Sequence, residues 1–489
     1  MQEPETPGWV RDAIFYQIFP DRFARSVGVA KPRHLDDWGA PPTYHGYQGG
    51  DLVGVAEKLD YLQDLGINAI YFTPVFQSAS NHRYHTHDYE KVDPMLGGNA
   101  ALRRLVDQAH DRGIRVVLDG VFNHASRGFF QFHDIMENGP NSAYQDWFHV
   151  KEFPLNAYDP EKRPNYGAWW GLPALPKFNT GCPQVREFLW GIGRRWIEFG
   201  IDGWRLDVPN EIDDDSFWQE FRRRVKDANP EAYIVGEVWS DAQRWLKGDM
   251  WDAVMNYQFT RACIAYFIGE SLEEDDLKKT SLYPAGPSGA EAFARNIERL
   301  MGLYAPSITA VMLNLLDSHD MARFLSLARK DRSALELATT FQMTYPGAPS
   351  IYYGDEVGMS GGHDPANRGA FPWHRPEGWD TDLLHEFQRL IALRKARPAL
   401  RRGSFRVIHA AGDQFVHARQ LSDETVLAAF NAARSTARID VKLAGLEPRP
   451  TVLEDLRTRK GVRASGEVLR LEIPPRSSLI LGTPLGSHA

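Results

Sequence analysis

Cysteine is nearly absent: Cys182 and Cys263 are the only two in 489 residues. That count excludes a disulfide framework, leaves a single bridge as the most the chain could form, and makes reduced thiols the expectation. Long apolar runs are also missing, none approaching the ~20 residues that cross a bilayer, so no membrane partner is expected. The opening residues, MQEPETPGW, are acidic and proline-rich and lack the apolar segment of a secretory signal, which places the expected location in the cytoplasm. Nor is there a basic excess. Lys and Arg number 56 against 64 Asp and Glu, a formal net charge of -8, and the basic residues are dispersed, which excludes a phosphate-binding face and a nucleic acid partner. Repeats and low-complexity segments are absent too. Aromatic residues are generous, at 12 % with 14 Trp, a content that fits core packing and also fits flat faces for ring stacking.

Short β-rich apolar runs at 13–19, 67–75, 114–122, 201–208, 232–239, 253–259, 309–320 and 349–356 read as eight strands. Between most of them lie amphipathic stretches such as ALRRLVDQAHDRG and VREFLWGIGRRWIEFG, with apolar residues at spacings of three and four and a closing glycine, the pattern of helices. Strands alternating with helices in this number predict a (β/α)8 barrel, the TIM-barrel class. Residues 124–180, rich in Pro, Gly, Asn and aromatics, are too long for a bare loop and read as a subdomain inserted after the third strand. Beyond residue 400, alternating runs divided by turn residues predict a C-terminal antiparallel β-domain of the sandwich type. The expected division is therefore 1–123 with 181–400 for the barrel, 124–180 for the insert and 401–489 for the β-domain.

In such a barrel, side chains from several strands converge at the carboxyl ends of the strands. Those ends carry Asp119 with Asn123 and His124, Arg205 with Asp207, Glu237, and His319 with Asp320. Any one Asp could be a helix N-cap. Arg205 and Asp207, however, stand at i and i+2 on one side of a strand, and burying an ion pair costs several kcal/mol that apolar packing avoids. Glycoside hydrolysis supplies a reason, because it needs one ionised carboxylate and one protonated carboxylic acid. Arg205 would hold Asp207 ionised by charge pairing. Partial desolvation and neighbouring negative charge would raise Glu237.

DGVFNH (119–124), GWRLDVPNE (203–211), GEVW (236–239) and LLDSHD (315–320) resemble the four signature regions of the α-amylase family, glycoside hydrolase family 13, in order and on the expected strands. The resemblance implies Asp207 as nucleophile, Glu237 as acid/base and Asp320 as the residue that clamps ring hydroxyls. It further implies Arg205, His124 and His319 around the attacked glucose, Tyr84 as its stacking platform and His82 nearby. A packed loop aromatic remains the alternative for Tyr84. Asp119 and Asn123 are expected to shape the strand-three loop.

LPKFN (175–179), GWRLDVPNE and YYGDEVGMSGGHDPANR (352–368) are similar to segments of the neopullulanase, cyclomaltodextrinase and maltogenic amylase group. This implies Asn210 and Glu211 on the leaving-group side and Asp364 and Arg368 on the non-reducing side, with surface ion pairing as the alternative for the last two. The implied partner is an α-glucan oligosaccharide: maltooligosaccharides, cyclodextrins or pullulan. Three departures stand out. No counterpart of the group's N-terminal β-domain is read, since the first strand begins near residue 13, and the oligomeric state is left open. Pro209 replaces the usual alanine and stiffens the acceptor-side wall. The segment DRFARSVGVAKPR lacks the Asp and Asn run of a calcium loop, so no calcium is expected there; no cofactor is required, and a structural calcium elsewhere is left open. A transferase or trehalose-forming isomerase on the same fold, and a non-catalytic sugar-binding protein, are the rival readings.

Overall fold

Each of the eight apolar runs contains a strand in the computed structural model: β1 (Phe15–Ile18), β2 (Ala69–Phe72), β3 (Arg115–Gly120), β4 (Gly203–Leu206), β5 (Tyr233–Gly236), β6 (Ala253–Val254), β7 (Leu313–Leu315) and β8 (Ala348–Tyr352). The structure describes residues 3–484 except 160, 281 and 283–285, so the outermost residues of the expected barrel and β-domain, 1–2 and 485–489, and residue 160 of the expected insert lie outside the described residues. All neighbours pair in parallel in the order β6-β5-β4-β3-β2-β1-β8-β7. A parallel bridge from Met255 to Leu313 joins the two edge strands and closes the barrel. The strands are buried on both faces, which is why they read as continuous apolar runs rather than alternating ones.

Two expected strands shorten for identifiable reasons. The sixth stops at Val254 because the Asn256 side chain accepts a hydrogen bond from Phe259 N and caps a helix, Tyr257–Cys263. The seventh is preceded by a helical turn, Pro306–Thr309, with proline at its first position. Gly200 ends the helix Pro183–Phe199 in the left-handed region, at φ 117°. At Gly203 a β-carbon would lie 2.3 Å from Tyr233 O, so only glycine lets β4 approach β5 there.

Residues 124–180 form a helix, Phe130–Asn138, followed by irregular chain held by isolated antiparallel bridges, His124–Lys177, Phe148–Phe178, Val150–Tyr166 and Ala168–Pro176. Its aromatics pack largely on one another: Phe148 on Phe178 at 5.2 Å and Phe132 on Tyr166 at 4.9 Å between ring centroids.

Beyond the barrel, β9 (Ser404–Ala411), β10 (Gln414–Leu421), β11 (Glu424–Asn431), β12 (Ala437–Lys442), β13 (Val452–Asp455), β14 (Gly461–Arg463), β15 (Val468–Ile473) and β16 (Ser477–Gly482) are antiparallel. Six of them form a sheet, β9-β10-β11-β16-β13-β14, and β12 pairs with β15. Alternation along the strands divides the side chains of the larger sheet. Phe415, Val426, Ala428, Phe430 and Ile480 join the barrel core, while Val416, Leu427, Ala429 and Leu481 pack with Val441, Leu469 and Leu471 between the two sheets. Both cysteines are buried and free, so the chain carries no disulfide. Among the described residues no helix is long and apolar enough to cross a membrane.

Candidate active site

Register places the first charged residues side by side. Asp119 on β3 stands opposite Arg205 on β4, and neighbours in register project from the same face of the sheet. The Arg205 side chain is fully buried, with NH1 2.9 Å from Asp119 and 3.2 Å from Asp207, and NH2 3.0 Å from Glu237 and 3.8 Å from Asp320. Four carboxylates from four strands thus surround one guanidinium. A single positive charge cannot offset four negative ones in a water-poor site, so protons are retained. Burial, with Arg205 opposing it, pushes Asp119 up to about 6. Burial and then the charge of Glu237 push Asp320 up to about 7. Burial and Glu237 also push Asp207 well above the ordinary carboxylate range. This corrects the expectation that Arg205 would hold Asp207 low: the guanidinium is shared, and its strongest contact is with Asp119.

The Glu237 carboxyl is held by donors on two sides. Trp239 Nε1 donates to Oε1 at 2.9 Å, and Val208 N donates to Oε2 at 3.2 Å. Val208 reaches that position with φ 36° and ψ 49°, a left-handed conformation that is strained for a β-branched residue. Pro209 follows in a tight turn, Pro209–Glu211, its carbonyl accepting from Trp218 Nε1 at 3.2 Å and its ring edge lying over Gly236. The position that differs from the usual motif is therefore packed against β5 and the helix after β4.

A second chain of bonds runs through the histidines. Gln17 Nε2 lies 2.7 Å from His319 Nδ1, and Tyr84 OH lies 2.5 Å from His319 Nε2. If Gln17 donates, Nδ1 is the acceptor and Nε2 carries the ring proton. Tyr84 OH and Tyr71 OH each donate to Asp119 Oδ2, at 2.9 and 3.0 Å. Burial, and then the charge of Arg205, keep His319 well below the ordinary imidazole range, so it is a neutral hydrogen-bonding group. Tyr84 lies parallel to the His319 ring at 5.4 Å between centroids with a 4° interplanar angle. His82 accepts at Nδ1 from Tyr84 N at 3.2 Å, and burial lowers it as well.

The loop after β8 braces the loop after β7. Asn367 Nδ2 donates to His319 O and Met321 O, both at 2.8 Å, and Arg368 Nε donates to His319 O at 2.9 Å. Arg368 also reaches Asp364 at 3.0 Å and Asp320 at 3.8 Å with only 12 % of its side chain exposed, so Asp364 and Arg368 are not an ordinary surface pair. On the opposite side His124 is buried, 3.2 Å from Asn123 Nδ2 through Nδ1, and is lowered to about 3 by burial. Its ring stacks on Trp169 at 5.1 Å. Asn210 and Glu211 are exposed at the rim, and Lys177 Nζ donates to Glu211 O and Oε2 at 2.9 and 3.1 Å.

Hydrogen bonds and ion pairs thus link Asp207, Glu237, Asp320, Arg205, His319, Tyr84, His82, Asp364 and Arg368 into one network, with His124 and Glu211 on the insert side. Gln17, Tyr71, Trp169 and Asn367 belong to the same region and escaped the reading of the chain. For Gln17 a signal existed: it is the one amide inside the apolar run AIFYQIF. The arrangement combines a proton-sharing carboxylate cluster with neutral imidazoles and a tyrosine hydroxyl, a set suited to acid/base chemistry on a polyhydroxylated substrate. Two carboxylates that flank the loop after β1, Asp21 and Asp51, are taken up by the protein. Asp51 is 2.9 Å from Lys31 Nζ, and Asp21 accepts from Arg22 Nε at 2.7 Å. Among the described residues no group of three or more His, Cys, Asp or Glu is arranged to hold a metal ion.

Comparison with known proteins adds the following. A family model described as Alpha amylase, catalytic domain, matches residues 17–381. The chain is 46 % identical over 431 residues to a cyclomaltodextrinase of a Bacillus species, covering 87 % of this chain and 74 % of that protein. It is 41 % identical to neopullulanase 2 of Thermoactinomyces vulgaris, covering 97 % of this chain and 78 % of that protein. Among solved structures, a debranching enzyme from Nostoc punctiforme superimposes with a TM-score of 0.90 at 49 % identity, covering 99 % of this chain and 100 % of the other.

Proposed function

Because the chain belongs to the α-amylase family and is an α-glucan hydrolase of that family, we propose that it cleaves α-1,4-glucosidic links of short α-glucans, namely maltooligosaccharides and cyclodextrins, by a retaining double displacement. The observation that carries this reading is the convergence of Asp207, Glu237 and Asp320 on the buried Arg205 guanidinium. Two adjacent nitrogens of one guanidinium hold Asp207 and Glu237 close together, in keeping with the ~5–5.5 Å carboxyl separation of retaining enzymes rather than the wider inverting gap.

In the first step Asp207 attacks the anomeric carbon while Glu237 gives its proton to the departing glycosidic oxygen. The C–O bond breaks and a glucosyl ester forms on Asp207. Burial and the neighbouring charge favour a proton on Asp207; the step itself requires Asp207 ionised as nucleophile and a proton on the acid, Glu237. In the second step Glu237 takes a proton from water, whose oxygen attacks the anomeric carbon; the bond from that carbon to the Asp207 oxygen breaks and Asp207 leaves as carboxylate, and a sugar hydroxyl in place of water gives transfer. Asp320, His124 and His319 bind ring hydroxyls, and their hydrogen bonds strengthen as charge develops on the ring. No step needs a metal or an organic cofactor.

A second reading, cleavage of α-1,6 links, is favoured by the likeness to the Nostoc debranching enzyme along the whole chain. Product profiles on maltotriose, β-cyclodextrin, pullulan and starch test both. Faster turnover of the first two than of starch supports the α-1,4 reading. Panose-free cleavage of pullulan to maltotriose supports the α-1,6 reading, and trehalose or longer oligomers from maltose instead of glucose would replace both with a transferase or isomerase.

A further inference from the structure

The segment GAWWGLP (167–173) places a tryptophan where packing gives it no reason to be. Trp170 is 81 % exposed, and its backbone lies in the left-handed region at φ 50° and ψ 19°, a conformation that costs a bulky residue stability. The turn that holds it there is well bonded. Gly171 N donates to Ala168 O at 3.1 Å, Leu172 N to Trp169 O at 3.0 Å, and Trp169 N to Leu175 O at 3.0 Å. The inner face of the Trp170 ring stacks on Trp169 at 4.5 Å between centroids and 13°, and Trp169 in turn stacks on His124 at 5.1 Å and 13°. Three parallel rings therefore run outward from the buried His124 to solvent, and the last presents an open face.

We propose that Trp170 is the platform of an outer sugar subsite, on which a glucosyl unit of the α-glucan stacks beyond those that the carboxylates contact. The inference rests on the α-glucan reading of the site and deepens it by assigning a determinant of chain-length preference. A pyranose presents an apolar C–H face that an indole ring covers well, and an aromatic body with a polar N–H edge suits a surface that is wet when empty. Continuity of the stack with His124 ties the platform to the catalytic cleft. Beside Trp170 in the turn only Leu172 is also a large exposed hydrophobic, at 44 %, and two side chains fall far short of the ~800 Å² per partner that a stable protein interface buries. A glucosyl ring fits that scale; a second copy of the chain does not.

The test compares wild type, Trp170→Ala and Trp170→Phe on maltotriose and maltoheptaose, together with maltoheptaose binding by calorimetry in an Asp207→Asn background and sedimentation of each variant. In Trp170→Ala the ratio of kcat/KM on maltoheptaose to that on maltotriose should fall about five- to tenfold, mainly through KM. Binding of maltoheptaose should weaken by a similar factor, and Trp170→Phe should recover most of both. An unchanged ratio with unchanged binding, or equal losses on both sugars, overturns the platform. So does a shift from dimer to monomer in Trp170→Ala, which would make the ring a self-association contact. If the wild type hydrolyses neither sugar, the α-glucan reading fails on its own, and the calorimetric comparison still decides whether Trp170 binds one.

Discussion

Buried guanidinium groups sit at both ends of the barrel, and they are satisfied in opposite ways. At the carboxyl ends of the strands Arg205 faces four side-chain carboxylates. At the other end Arg394 and Arg419 face main-chain carbonyls. Arg394 donates to Met343 O, Tyr345 O and Gly347 O at 2.8, 3.0 and 2.5 Å, and Arg419 donates to Thr344 O, Leu400 O and Gly403 O at 2.9, 2.6 and 2.9 Å. The carbonyls of Met343, Thr344, Tyr345 and Gly347 close the helix Arg332–Thr344 and lead into β8, and those of Leu400 and Gly403 close the helix Pro398–Arg402, so the pair fastens the last helices and the C-terminal sheet to the barrel floor, favourably placed at helix C-termini. Carbonyls cannot titrate, and burial lowers Arg394 only to about 9, so its clamp keeps its charge through neutral pH. Carboxylates can, and the cluster around Arg205 changes charge with pH and with substrate. The same side chain is a fastener at one end and the hub of a proton-sharing site at the other.

Substitutions sharpen that contrast. Asp207→Asn should abolish turnover of maltotriose by about 10⁴-fold or more, with the fold intact by circular dichroism; near wild-type turnover would break the assignment. Glu237→Gln should cost about 10²–10⁴-fold on maltotriose, and much less on α-glucosyl fluoride, whose leaving group needs no proton. Arg205→Met and Arg394→Met should each destabilise by about 3–5 kcal/mol, but with different pH dependence. Asp119 and Asp320, with pKa values raised to about 6 and about 7, favour the folded state at low pH and lose that advantage as pH rises through those values. Without Arg205 the loss is larger, so the Arg205→Met penalty should grow between pH 5 and pH 8. The Arg394→Met penalty should stay flat, and kcat/KM of its folded fraction should remain within about twofold of wild type. Parallel pH curves for the two variants would erase the distinction.

The smallest effect is expected at Asp320, whose side chain keeps 27 % of its surface open to the cleft. Asp320→Asn removes a carboxyl whose ionised form the fold disfavours, a cost that is fully present above its pKa of about 7. Its apparent Tm should therefore exceed that of wild type by about 1–3 °C at pH 8. The advantage should shrink as pH falls from about 7 towards 4, and activity should drop at every pH. If Asp320→Asn proved less stable than wild type at pH 8, Asp320 would be a structural anchor instead.

The eight strands were legible because strands buried on both faces need unbroken apolar runs, and strand after strand supplied one. Their ends were less so: Asn256 and Pro306 start helices inside or just before two of the expected runs, and a cap is a local signal weaker than the surrounding hydrophobicity. In the C-terminal region ARIDVKL (437–443) and SSLILG (477–482) carry clear strand patterns, while VLRLEI (468–473), which pairs with Ala437–Lys442, is a weaker signal because Arg470 and Glu472 interrupt its apolar residues. At the site, acidic residues stood out because each follows an apolar strand. Gln17, Tyr71 and Asn367 did not, since an amide or a phenol acquires meaning only from partners 302, 48 and 48 positions away. The sharing of Arg205 among four carboxylates was equally hidden, because charge balance depends on what four strands bring together and not on a two-residue spacing.

The central claim is that Asp207 forms the covalent intermediate. Incubating the protein with 5-fluoro-α-glucosyl fluoride, which slows breakdown of the glucosyl ester, and reading intact mass followed by peptide mapping tests it directly. The account predicts one fluoroglucosyl adduct per chain on the peptide containing Asp207, absent in Asp207→Asn. Turnover of maltotriose with inversion and no adduct, or an adduct carried by Glu237 or Asp320, would contradict it.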